Sequence, residues 1–109
     1  ASDTVKGGAA RLAGVEMPRY EDNETTFPEL QARIDKTIAF LKTITPEQID
    51  GEEDAHIVLS YPSRTFEFKG QAYLTGWVLP NLYFHTTTAY NLLRQGGVEI
   101  GKADFLGGA

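Results

Sequence analysis

The chain has 109 residues, 41% of them hydrophobic and 23% charged, a balance that argues against disorder and matches the size of one domain. Its formal net charge of -5 comes without any basic stripe, which argues against nucleic-acid binding, since neutralising phosphates takes clustered Lys and Arg. There is no cysteine, which excludes disulfides, thiol catalysis and thiolate metal sites. No apolar run approaches the roughly 20 residues that span a bilayer, and no basic-then-apolar leader is visible, so a cytoplasmic location without membrane contact is the default expectation.

Residues 2–14 read as a short helix. Ser2 or Asp3 can cap it, Ala9, Ala10, Leu12 and Ala13 favour it, and Gly14 can end it. Gly7 and Gly8 weaken it by about 1 kcal/mol each relative to Ala, which calls for close packing against a neighbour or else implies poor helicity. Residues 15–25 read as a loop punctuated by Pro18, with Glu21-Asp22-Asn23-Glu24 expected as a solvated acidic surface.

Residues 26–44 give the clearest helical pattern. Thr26 and Glu29 form a capping box and Pro28 lies in the first turn. Phe27, Leu30, Ile34, Ile38 (or Thr37), Leu41 and Ile44 recur at steps of three and four, so this stripe is expected in the main core. Glu29 and Arg33 are expected to pair weakly on the outer side. Thr45-Pro46-Glu47-Gln48 restarts a short turn that ends near Gly51.

The period then changes. Ile57, Leu59 and Tyr61 alternate with Val58 and Ser60, Pro62-Ser63 follows, and Thr65, Phe66, Glu67 and Phe68 continue. This predicts a β-hairpin leaning on the helices, an extended loop being the alternative, with His56 exposed at its edge. Residues 71–95 read as the last long helix, which Pro80 should kink or split near Leu79. Residues 96–109 hold five glycines, yet Val98, Ile100, Phe105 and Leu106 suggest a tail that docks.

The last helix aligns Leu74, Val78, Asn81, His85, Thr88 and Leu92 on one face. If that face points inward, Asn81, His85 and Thr88 are polar groups inside a bundle that must find partners. These three residues are the candidate ligand-binding set. His85 is open to three readings: a core histidine bonded to a hydroxyl or carbonyl, a ligand or general base in a cavity, or an exposed side chain. No metal site is expected. Zinc takes three or four ligands, the only other histidine is His56 on a different element, and Asn81 stands one turn before His85. No cofactor motif is present either.

The run from Leu79-Pro80-Asn81-Leu82-Tyr83-Phe84-His85-Thr86-Thr87-Thr88-Ala89-Tyr90 through Leu106-Gly107 resembles a family of bacterial and fungal proteins, a domain of unknown function within the DinB/YfiT-like helical bundles. Ala10-Arg11-Leu12-Ala13-Gly14-Val15-Glu16 and Glu24-Thr25-Thr26-Phe27-Pro28-Glu29-Leu30 match it in order. The resemblance implies an all-α, up-and-down four-helix bundle with a short β-hairpin before the last helix. It also implies that residues 1–109 form a single helical-bundle domain lacking its first helix, completed by a missing N-terminal segment or by a second copy in a homo-oligomer. The Ile34, Ile38 and Leu41 face would then be partly uncovered.

Within the wider superfamily, metal-dependent enzymes, often thiol transferases, carry a His-x-x-x-His pair on the last helix. His85 matches the second position and Asn81 departs from the first, so that activity is not carried over. Two functions follow as expectations. One is a binding or structural module, a dimer with room for a small molecule near Asn81, His85 and Thr88. The other is a metal-dependent DinB-like enzyme with an altered site.

Overall fold

The structure is a computed structural model that describes residues 1–108. In chain order it has α1 (Ser2–Ala13), α2 (Phe27–Leu41), α3 (Pro46–Ile49), β1 (His56–Tyr61), β2 (Arg64–Lys69), α4 (Gly70–Tyr73), a π-helical turn (Leu74–Val78), α5 (Leu79–Gln95) and α6 (Lys102–Phe105). It is a helix-rich fold with one antiparallel hairpin rather than a purely helical one.

Helix α1 is the hub, touching α2, α3, the π-turn and α5. Its first turn has no side-chain cap, contrary to the role expected of Ser2 or Asp3. Its end is as expected: Gly14 takes φ 66°, and the Val15 N–H donates to the Ala10 carbonyl at 3.0 Å. Gly8 explains why glycine is tolerated mid-helix. A Cβ there would stand 2.6 Å from Val78 Cγ1, so the missing side chain lets α1 and the π-turn close on each other.

Antiparallel pairing sets Ile57 opposite Phe68 and Leu59 opposite Phe66. Because side chains alternate along a strand, Ile57 and Leu59 are buried while Val58 faces outward. Their buried face meets Leu12, Tyr73 and Val78, with Ile49, Leu74 and Trp77 packed around them. Trp77 lies 4.9 Å from the Phe66 ring and 5.5 Å from Phe68, and Phe68 lies 5.7 Å from Tyr73. Such aromatic contacts add to the burial they produce.

The core therefore sits between α1, the hairpin and the π-turn, and the expectation for α2 is corrected. Its apolar stripe is exposed: Leu30 and Ile34 at 46%, Ile38 at 44%, and Phe27 more. Helix α2 packs on α1 through Arg33 and Thr37, which are buried. Arg33 is not on the outer side and does not pair with Glu29; Glu29 instead closes the capping box with Thr26. Nor is the acidic loop simply solvated. Arg33 Nη1 lies 3.0 Å from both Glu24 and Asp22 and also donates to the Glu21 carbonyl at 2.9 Å, while Arg33 Nη2 reaches Asp3 at 3.1 Å.

Pro80 acts one turn earlier than its own position. Lacking an N–H, it leaves the Gly76 carbonyl without its ladder donor, and the chain widens into the π-turn just before it. The Asn81 side chain then donates to the Trp77 carbonyl at 2.7 Å. After α5 the tail folds back, and Phe105 meets the Tyr90 ring edge-on at 5.7 Å. Leu106 and Val98 stay exposed. No helix among the described residues is long and apolar enough to cross a membrane.

Candidate functional site

A cavity of about 500 Å³ lies between α1, the loop after it, the hairpin and the start of α5. Asp3, Lys6 and Arg11 line it from α1, and Met17, Pro18, Arg19 and Tyr20 from the loop. Leu59 and Tyr61 of β1, with Tyr73, Trp77, Asn81 and His85, complete the wall.

The cavity brings together two of the three residues singled out on α5. Asn81 is half-buried, its amide committed to the Trp77 carbonyl. His85, one turn on, is exposed, with its ring edge-on to Phe84 at 5.3 Å, and it makes no hydrogen bond to Thr88. Thr88 is exposed, lies outside the cavity, and donates to the Phe84 carbonyl at 2.7 Å. His56 is also elsewhere, exposed on β1 with Nε2 3.7 Å from Glu67 Oε1.

The charged groups of the cavity come mostly from α1. Lys6 is buried, donates to Asp3 at 2.9 Å, and has its ammonium 3.8 Å from the centre of the Tyr20 ring. Lys36 approaches the same ring at 4.0 Å. These cation–π contacts hold the 15–25 loop against both helices. The hydrogen bond from Lys6 draws the Asp3 carboxyl below its ordinary pKa; partial burial opposes this, and the charges of Lys6 and Arg33 reinforce it. Arg11 is half-buried and donates to the hydroxyl of the fully buried Tyr73 at 3.1 Å.

Lys6, Arg11, Tyr73 and Trp77 escape a reading based on motifs. Each belongs to an element that looks purely structural in isolation, and only folding sets them beside Asn81 and His85. A three-donor metal centre does not fit this wall. Beside His85 the helix offers an amide, and among the described residues no three His, Asp or Glu side chains converge.

Among solved structures, a DinB family member protein from Shewanella denitrificans is similar, with a TM-score of 0.84 at 39% identity. The match covers 96% of this chain and 60% of that one, so this chain spans about three fifths of its length. A comparison with curated proteins finds no match. The family model for the domain of unknown function DUF1993 matches residues 1–106, and the chain belongs to that DinB-like family.

Proposed function

We propose that this protein is a binding module that holds a small molecule in the cavity lined by Asn81 and His85. The observation that carries this reading is the wall itself. A cavity of about 500 Å³ combines aromatic surface from Tyr61 and Trp77 with the polar groups of Arg11, Tyr73, Asn81 and His85. Small-molecule sites pair apolar surface with placed polar groups, and this wall offers both, with a larger polar share than most. The enzyme alternative needs further metal donors around His85. Fragment screening by protein-observed NMR tests the module. Hits should move the Trp77 indole and Asn81 side-chain signals together, and hits confined to other surfaces would overturn the reading.

Helices α1, α2 and the α4–α5 run supply three members of an up-and-down bundle. The exposed apolar residues of α2, and Leu92 and Leu93 of α5, are positions that a further helix could cover. The similar structure has polypeptide beyond the matched region, and we assign the cover to a further segment of the same protein. Light scattering and thermal melting of the 109-residue chain test this. Self-association or a broad melt is expected. A stable dimer with a cooperative melt would assign the cover to a second copy, and a cooperatively folded monomer would show that no cover is needed.

A further inference from the structure

The cations around the cavity are unequal. Lys6 has Asp3, and Arg33 has Asp3, Asp22 and Glu24. Arg11 has no carboxylate within ion-pair distance among the described residues. Its only side-chain partner there is a neutral hydroxyl, that of Tyr73. Arg19 also lacks a carboxylate, but it is exposed at the rim, where water solvates it. A half-buried guanidinium has lost part of that solvation, so an anion beside it is favoured.

Gly7 prepares the position. It lies one helical turn before Arg11, and a Cβ there would stand 2.7 Å from Arg11 Nη1 and 3.1 Å from Met17 Sδ. The guanidinium thus lies back along α1 in space that any larger residue would contest. The Tyr73 hydroxyl, accepting from Arg11, makes no hydrogen bond as a donor among the described residues. Its O–H and the remaining guanidinium N–H groups are all donors, so the ligand end that meets them must be an acceptor. A planar guanidinium offers paired N–H groups that match a carboxylate edge. The only carboxylate lining the cavity, Asp3, is already tied to Lys6 and Arg33. Met17, Leu59 and Trp77 supply apolar surface on the same wall, beside the polar side chains of Thr4, Asn81 and His85.

We infer that the cavity takes a small organic acid, its carboxylate held by Arg11 with Tyr73 and its apolar body against Trp77. The inference rests on the cavity being a ligand site and adds the chemical class of the ligand.

Trp77 is the single tryptophan and lines the cavity, so its fluorescence reports occupancy. The probes are phenylacetate and its neutral counterpart phenylacetamide, which share a body and differ in the head. Phenylacetate should bind at least about tenfold more tightly, the scale expected of a charge-assisted pair. Its affinity should fall with added salt while that of the amide should not. Arg11→Gln should bring the two affinities together, weakening the acid far more than the amide. Arg11→Lys keeps the charge but loses the fork, and should leave a smaller preference for the acid.

Equal binding of both probes to the native protein overturns the acid assignment and leaves the cavity as a ligand site. A preference for the acid that survives Arg11→Gln overturns the role of Arg11. Silence of Trp77 toward both probes, while NMR screening still finds neutral fragments in the cavity, also overturns the acid assignment; silence in both experiments removes the cavity reading itself. The comparison on the native protein needs no variant to fold.

Discussion

The guanidinium of Arg33 lies 3.0 Å from the carboxylate of Glu24, and the two side chains are only 10% and 12% exposed. This pair closes the 15–25 loop over the α1–α2 junction. Arg33 accordingly keeps its charge more firmly than a free arginine, first through the hydrogen bond to Glu24 and then through the charges of Asp3, Glu24 and Asp22, against the pull of burial. Arg33→Met removes the ties to three carboxylates and one carbonyl at once, leaving Glu24 without its partner. We expect the thermal midpoint to fall by several degrees and amide exchange in residues 15–25 to rise. Unchanged exchange in that loop would mean that Tyr20 and its cations hold it without Arg33.

Acid should act on the same region. The Glu24 carboxyl is held below its ordinary range by its own backbone N–H and by Arg33, with desolvation opposing; Asp3 is held low by Lys6, and Glu29 by the Thr25 backbone N–H and the Thr26 cap. Each of these groups binds protons less readily when folded than when unfolded. Their stabilisation is therefore complete above the unfolded carboxylate pKa values of about 4 and is lost as pH falls through the depressed folded values. Urea midpoints measured from pH 7 down to pH 2.5 should hold steady and then drop below about pH 4.5. The drop should be shallower in Arg33→Met, and an equal drop would place the acid sensitivity elsewhere.

Core position is tested by two matched truncations. Leu59, 3% exposed, lies in the cluster with Leu12, Tyr73 and Val78, so Leu59→Ala should cost about 2–5 kcal/mol. Ile38, 44% exposed, should cost less than about 1 kcal/mol in this chain, because the mutation vacates little buried space. Chemical denaturation of both variants measures the difference. Comparable losses would mean that the α2 stripe is covered in solution, by self-association or by a different packing.

The elements were legible where local chemistry determines them. The Thr26–Glu29 box, the Gly14 stop and the alternation of Ile57 and Leu59 each act within a few residues of themselves. What the chain packs against what is a longer-range matter. An apolar stripe such as Leu30, Ile34 and Ile38 says that a helix wants a partner, and it does not say whether the partner lies within these residues. The burial of Arg33 depends on where Asp3 and Glu24 arrive after folding, which no local spacing encodes. The candidate site divides in the same way. Asn81 and His85 are neighbours on one helix face and could be read together, whereas Arg11 joins them only across 62 residues of chain through Tyr73. Thr88 shares the helical spacing but lies beyond the end of the cavity.

His85 is the one imidazole on the cavity wall, and the residue a turn before it is Asn81, whose amide nitrogen already donates to the Trp77 carbonyl. A neutral amide oxygen is a poor ligand for zinc or nickel beside imidazole or thiolate, and the chain has no cysteine. Asp3, the carboxylate on the same wall, is held by Lys6 and Arg33, so recruiting it would break two ion pairs. Purified protein dialysed against a weak chelator should therefore hold well under one equivalent of zinc, nickel or iron by elemental analysis, and His85→Ala should not change that value. The complementary variant supplies the missing imidazole. Asn81→His creates the His-x-x-x-His spacing on one face of α5 and should raise zinc affinity measurably over the native chain, because residues four apart on a helix are neighbours. Near-stoichiometric metal in the native protein, released by His85→Ala, would instead mean that donors converge on His85 in solution, and the enzyme reading would then displace the binding module.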